Sequence, residues 1–441
     1  MHDLTQLRVA AREIFDAALH AVDPLSAMHS AVHIEKSTLI IGRVAFDITA
    51  REIYAIAIGK AAGRMAAGLN QALGNSLSAG IICSHDGGID YSSPGPTWHT
   101  FLGGHPEPNE ASLAAARACF QLLETANKAR ALVIFLISGG GSAMIEAPAS
   151  DEISLADLQA ANKLLVNSGA SISEINAARR AFSAVKGGQL AARAANCDQI
   201  TLIVSDVPEG EEYNVASGPT IEPDPTSLDA SEVIEGYQLR GELPSSIVRA
   251  IKTHKLSPVS SSRSEHLVLL SNNDARLAAA ESARRYGFIA EIAPDICDQS
   301  IEQGCAKSLE RLAALRVNCS AENRPVCLIS GGEFRCPVKG GGVGGRNLET
   351  ALRLALLYAK SKKPERFVAL CAGTDGIDGN STAAGAIADG TTLERAHALG
   401  LNAANFLERS DSYSFFTALG DAITTGPTGT NVRDLRILFA A

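Results

Sequence analysis

Lysines and arginines beside turns, glycine runs that bare backbone N–H groups, and carboxylates at strand ends are the residues of this chain that could handle an anion. The densest grouping is Lys339-Gly340-Gly341-Gly342-Val343-Gly344-Gly345-Arg346-Asn347-Leu348-Glu349. Leu348, Leu352, Leu354, Ala355 and Leu356 then begin an apolar helical face. Glycine permits close backbone approach, and a helix start offers unpaired N–H donors and the positive end of its dipole. Lys339 and Arg346 flank the loop, a combination suited to phosphate or carboxylate, with Gly344, Gly345 and Asn347 as contacts. Gly340, Gly342 and Gly345 formally make G-x-G-x-x-G. The dinucleotide fingerprint also expects an acidic residue about 20 positions on. Here the next strand ends at Cys371–Asp375, some 30 residues after the last glycine.

Other turns carry related chemistry. Lys60 stands where the apolar run Ile56-Ala57-Ile58-Gly59 enters a helical pattern. A cation is disfavoured at that end of a helix unless an anion is near. Ser138-Gly139-Gly140-Gly141-Ser142 follows another apolar run and could form a backbone anion nest. It lacks the G-x-S-x-G elbow of a serine hydrolase, because residues 140–144 read Gly-Gly-Ser-Ala-Met. Asp206 also ends an apolar run and could hold Mg²⁺, accept a proton or cap a turn. Glu333 has the same choices, and the turn 373–379 could present Asp375 and Asp378 to a metal or to substrate hydroxyls. Arg179, Arg180 and Lys186 could form a positive face or be solvated. Asn431 lies in a Gly/Thr-rich turn suited to ribose or phosphate contact, or to bonds with its own backbone.

Positioning these residues takes alternating strands and helices. Apolar runs predict strands at 53–59, 80–84, 132–138, 201–205, 266–271, 326–330, 334–339 and 367–372. Helical patterns fall at 61–73, 110–128, 155–167, 173–195, 274–286, 300–316 and 346–360, with an amphipathic helix at the N-terminus. The alternation predicts an α/β class with mainly parallel sheet. The short gap between 326–330 and 334–339 predicts an antiparallel pair in a second, mixed sheet. A boundary is expected between 221 and 264, where Pro223, Pro225, Pro244, Pro258 and Ser260–Ser262 interrupt the pattern. Leu-Ile-Ser-Gly-Gly recurs at 136–140 and 328–332, so each half carries a strand ending in the same small-residue turn.

Composition narrows the function. Hydrophobic residues are 46% and charged residues 20%, ordinary for a globular chain. A net charge of −9 disfavours general binding to nucleic acid or an anionic membrane. No apolar run reaches the ~20 residues of a membrane span. The nine cysteines show no C-x-x-C pair, which points away from zinc and toward a reducing cytoplasm.

Taken together the segments resemble the class II glycerate 2-kinase family with its MOFRL-type C-terminal half. The stretches are AIGKAAGRM (57–65), GGHPEPNEAS (103–112), LISGGGSAM (136–144), LLVNSGASISEIN (164–176), VKGGQLA (185–191), SDVPEGEEYNVASGPTIEPDPT (205–226), LISGGE (328–333), GGRN (344–347), GTDGIDG (373–379) and TGPTGTNVRDL (425–435). The resemblance implies a Rossmann-like domain over 1–245, a smaller α/β domain over 262–441, and an active site between them. It implies ATP- and Mg²⁺-dependent phosphorylation of the 2-hydroxyl of D-glycerate, and leaves a homodimer open. The family's important lysine falls on Lys60 and its important arginine on Arg346. Asp206 is the third catalytic candidate, and Asp206 and Asp375 are the metal candidates. Ser138, Gly139, Gly140, Gly141, Ser142, Lys186, Glu333, Gly344, Gly345, Asn347, Asp375 and Asn431 are the candidate substrate and nucleotide contacts. Departures from the family pattern at Ala181, Phe182, Gln189, Phe334, Arg335 and Thr382 leave the hydroxy-acid preference open. An NAD(P)H-dependent hydroxypyruvate reductase and a non-catalytic metabolite binder are the rival readings.

Overall fold

The computed structural model describes residues 3–85, 97–224, 226, 228–259, 263–322, 324–361 and 366–441. Pro225 and Ser260–Ser262 lie outside these. The chain divides into two compact units, Pro24–Leu269, and Met1–Asp23 together with Leu270–Ala441.

The Pro24–Leu269 unit is built on a six-stranded sheet. Its strands run in the order Trp98–Leu102, Ala79–Ser84, Ile53–Ile58, Leu132–Ser138, Asp198–Val204 and Arg263–Leu270. Pairings among the first five are parallel. Leu132–Ser138 is buried along its whole length, as a continuous apolar run in a two-sided parallel sheet must be. The chain starts at Ile53–Ile58, moves outward on one side, then returns to build the other side from Leu132–Ser138. The winding direction therefore reverses between these two strands, and the crevice at their carboxyl ends is where such sheets bind ligands. A three-stranded antiparallel meander, Val32–Glu35, Thr38–Ile41 and Val44–Asp47, precedes the sheet. Its strands are too short for periodicity to reveal.

The second unit has a mixed sheet in the order Ile289–Ile292, Val326–Gly331, Asp434–Ala440, Phe367–Gly373, Gly385–Asp389 and Ala422–Ile423. The expected antiparallel partner at 334–339 is not a strand. The place beside Val326–Gly331 is filled by Asp434–Ala440, which pairs antiparallel with it and with Phe367–Gly373 on its other edge. Phe334 is buried, Arg335 makes an isolated bridge to Ser300, and Pro337 has no N–H to give a ladder. The helix expected over 173–195 is interrupted too. It resolves into Ile172–Arg180 and Gln189–Ala192, because Gly187 and Gly188 turn the chain at φ +63° and +81°.

Helix Leu4–Ala21, capped by Asp3, belongs to the second unit. Leu7, Ala11, Ile14 and Phe15 are buried in one cluster with Ala279, Phe288, Ile329 and Ile437. Arg8 reaches Asp389 at 2.6 Å and also pairs with Asp421. The compact units thus differ from a simple division into 1–245 and 262–441: an amphipathic face shows that a helix packs, not which distant sheet it packs on. Among the described residues no helix is long and apolar enough to cross a membrane.

Candidate active site

In the Pro24–Leu269 unit three strand ends converge. Gly59 takes φ +110°, and a Cβ there would lie 2.2 Å from Ser138 O. Only glycine lets the two strand ends approach so closely. Ser138 Oγ donates to Ile58 O at 3.1 Å and accepts from Ala61 N–H at 3.0 Å. It is therefore a staple between the loops. Lys60 N–H donates to Gly139 O at 2.9 Å, and its side chain lies over Gly140, whose added Cβ would be 3.2 Å from Lys60 Cγ. Asp206 arrives from the end of Asp198–Val204 so close that a Cβ on Gly139 would be 1.8 Å from its Oδ2. Lys60, Gly139, Gly140 and Asp206 thus meet at the reversal point of the sheet. Ser142 Oγ lies 2.8 Å from Ser217 Oγ, which donates to Asn176 Oδ1 at 2.8 Å.

Lys186 takes another role. It is paired with Glu146, and both side chains are 1% exposed. Glu146 also accepts from Ser183 Oγ at 2.6 Å. Burial pulls the ammonium's pKa down while Glu146 opposes that shift. The pair closes on itself inside the fold, so Lys186 does not present its charge to a ligand in solvent.

The second unit holds Arg346 at the start of helix Arg346–Ser361. Its Nε donates to Asp434 Oδ2 at 2.6 Å, and its Nη2 to Glu333 Oε1 at 2.7 Å. Asp434 is 1% exposed, whereas the Arg346 side chain is 38% exposed. Nε and Nη2 are thus spent on the two carboxylates. Burial disfavours the charge, but Asp434 and Glu333 outweigh it and raise the guanidinium above the ordinary arginine range. Asp375 and Asp434 both flank Gly373, whose added Cβ would lie 3.1 Å and 3.5 Å from their Oδ1 atoms.

Asp378 is a helix cap. Its carboxylate accepts from Asn347 N–H at 3.1 Å, Asn347 Nδ2 at 3.3 Å and Leu348 N–H at 2.8 Å. Asn347, a predicted contact, is therefore held by the fold. The glycine run serves close packing: none of Gly340, Gly341, Gly342, Gly344 and Gly345 has a positive φ. A Cβ on Gly342 would meet Asp411 Cβ at 2.5 Å, and one on Gly345 would meet Asp378 Cγ at 2.4 Å. The N–H groups of Gly342, Val343 and Gly344 donate to Arg409 O, Asp411 Oδ1 and Asn380 Oδ1. They are unavailable to cradle an anion. A cavity of about 390 Å³ remains beside the loop, with Arg346, Gly344, Gly345 and Asp378 in its wall.

Comparison with known proteins decides the family. Residues 10–252 match a model described as a domain of unknown function, DUF4147, and residues 326–434 match the MOFRL family. The D-glycerate 2-kinase of Thermotoga maritima is 34% identical over 440 residues, 99% of each chain. The chain belongs to the glycerate 2-kinase family. The glycerate 2-kinase of Pyrococcus horikoshii is 34% identical, covering 95% of this chain and 94% of that one. A crystal structure of the Thermotoga glycerate kinase superimposes with TM-score 0.81 at 32% identity, over 99% of this chain and all of that one.

Against that glycerate 2-kinase background, Phe334, Gln189 and Phe182 turn into this chain's own fold, and Arg335 and Thr382 stay exposed. Phe334 is buried beneath the Arg436 guanidinium, 3.8 Å from its ring centre. Gln189 Nε2 donates to Ser257 O at 2.9 Å, and Ser257 N–H returns a bond to Gln189 Oε1 at 3.0 Å. Thr382 Oγ1 is 2.9 Å from Tyr413 OH, Phe182 is core, Ala181 follows the helix end and Arg335 is exposed. Asn431 accepts from Arg433 N–H at 3.1 Å.

Spacing alone missed several residues that hold the candidate site of the second unit. Arg436 is buried and donates to Ser330 Oγ at 3.0 Å and Gly332 O at 3.1 Å, fixing the second Ser-Gly-Gly turn. Asn272 accepts from Gly332 N–H at 3.2 Å, and Asp434 anchors Arg346. Their partners lie up to 162 positions away in sequence. An arginine inside the apolar run 434–440 was the one local signal.

Proposed function

We propose that this chain transfers a phosphoryl group from ATP to the 2-hydroxyl of D-glycerate, giving 2-phosphoglycerate. The observation that carries the reading is the meeting of Lys60, the Gly139–Gly140 backbone and Asp206 at the reversal point of a parallel sheet. The chain around them is 34% identical to a D-glycerate 2-kinase over 99% of its length. Phosphoryl transfer needs chiefly positioning and charge stabilisation. Lys60 supplies a cation for the transferring group, with Gly139–Gly141 as the backbone beside it. Asp206, close against Gly139, takes the proton from the attacking hydroxyl. Within the second unit Arg346, held by Asp434 and Glu333, is the cation for an anionic group.

Among the described residues no group of three or more His, Cys, Asp or Glu side chains could hold a metal ion. Lone carboxylates fit Mg²⁺, which usually keeps several waters and binds through one or two carboxylates and the substrate phosphates. Asp206 or Asp375 would hold it, and a bound Mg²⁺ would neutralise phosphate charge. The glycine run does not follow a strand and its N–H groups at 342–344 are spent, which weighs against the dinucleotide reading. Nine cysteines with no C-x-x-C pair suit a reducing compartment such as the cytoplasm.

The test is a screen for ADP release with D-glycerate, L-glycerate, tartrate and four-carbon sugar acids, with the product's phosphate position determined by NMR. NAD(P)H oxidation with hydroxypyruvate is followed in parallel. D-glycerate should turn over and hydroxypyruvate should not. Lys60→Ala and Arg346→Lys should each lower kcat/KM by about 10²–10³-fold, the range for losing one transition-state donor. Near-normal turnover in both variants would overturn the assignment.

A further inference from the structure

Three cations crowd the segment 179–186, and the fold treats them differently. Arg179 Nε donates to Asn162 Oδ1 at 2.7 Å, and Lys186 is paired with Glu146. Arg180, the last residue of helix Ile172–Arg180, is 4% exposed, and its Nη1 is fully buried with no hydrogen-bond partner among the described residues. The titratable neighbour that acts on its charge is the Tyr213 phenol, which is neutral at ordinary pH. A guanidinium cannot shed its charge by deprotonation, so a buried one without a counter-charge is costly. Such a group calls for an explanation, and a ligand that completes it is one.

The surroundings are built around this side chain. Gly187 takes φ +63°, and a Cβ there would lie 2.7 Å from Arg180 Cδ, so glycine makes room for the arginine stem. Gly187 N–H donates to Ser217 O at 3.1 Å. Ala216 and Ser217 are both held at positive φ, +51° and +63°, a costly conformation for residues with a Cβ and one that clusters at ligand sites. Ser217 Oγ then meets Ser142 Oγ at 2.8 Å, two residues beyond the glycine under Lys60. The strained turn therefore ties the backbone that packs on Arg180 to the loop that carries the proposed phosphoryl site.

We propose that Arg180 is a substrate-binding residue whose guanidinium receives the carboxylate of the hydroxy acid. This rests on the kinase reading above and adds to it the group that anchors the acceptor. A planar fork of donors matches a carboxylate in two bonds. A single buried cation matches one negative charge, whereas a nucleotide polyphosphate calls for several.

The test compares the full-length wild type with Arg180→Lys and Arg180→Met. The planar fork is lost in both, and lysine does not replace it at a bidentate site. KM for D-glycerate should rise at least about tenfold while KM for ATP stays within about twofold. D-glycerate alone should raise the melting temperature of the wild type and not of Arg180→Lys. An unchanged KM for D-glycerate in both variants would overturn the proposal. So would a rise in KM for ATP alone, which would give the site to a nucleotide phosphate. Equal stabilisation of wild type and Arg180→Lys by D-glycerate, or loss of the fold in both variants, would mark Arg180 as a structural cation at a helix end. Failure of the wild type to phosphorylate D-glycerate would sink the kinase reading instead, whatever the variants do.

Discussion

At the scale of single residues, pairing sorts the cations that spacing singles out. Arg346 keeps part of its side chain exposed, Lys60 is half-buried at a strand end, and Lys186 is spent on Glu146. Lys186→Met should therefore destabilise the fold by about 3–5 kcal/mol, because Glu146 would be left buried and unpaired. Chemical denaturation checks this, and adding Glu146→Leu should recover most of the loss. Asp378 gives a second residue-scale prediction. Burial pushes its carboxyl up to about 7, with Asp434 adding to the rise and the Leu348 and Asn347 N–H groups opposing it. The native state thus holds this proton more tightly than the unfolded chain, whose reference value is 3.8. The resulting stabilisation is complete below that value and is lost as pH rises through about 7. The stability of wild type relative to Asp378→Asn, from urea unfolding at pH 5 and pH 8, should fall as pH rises. A constant difference would count against the assignment.

At the scale of elements, the glycine run shows how one composition can serve two ends. Its sequence suggests N–H groups bared to an anion. Its structure uses the missing side chains to bring Arg409, Asp411 and Asp378 against the backbone. Gly345→Ala should cost about 1–3 kcal/mol, since its Cβ would strike the carboxylate that caps helix Arg346–Ser361. Gly341→Ala should be close to neutral, because nothing lies within 4 Å of its Cβ position. Equal melting temperatures for the two variants would remove this explanation. The strand ends bearing Lys60, Gly139 and Asp206 were legible, because buried parallel strands appear as unbroken apolar runs. The strand expected at 334–339 misled for a physical reason. A short β-like run takes the structure its neighbours leave it, and Asp434–Ala440 had the vacant edge.

At the scale of the whole molecule, the N-terminal helix belongs to the unit formed by the last 172 residues, Leu270–Ala441. Phe15 is fully buried there among Phe288, Ile329 and Ile437. Phe15→Ala should cost about 3–5 kcal/mol. Hydrogen exchange should then rise in 270–441 and stay unchanged in 24–269. A uniform rise across both units would contradict this division.

The α/β class, most strands and helices, and the turns carrying Lys60, Asp206 and Arg346 are legible in the chain alone. These rest on local periodicity and on glycine at strand ends, which any short window of the chain contains. Tertiary contacts settle which cation is spent on Glu146, which is braced by Asp434, and which, Arg180, keeps a buried Nη1 with no hydrogen-bond partner among the described residues. Charge availability depends on partners that the fold brings from tens to hundreds of residues away, and no spacing rule reports them.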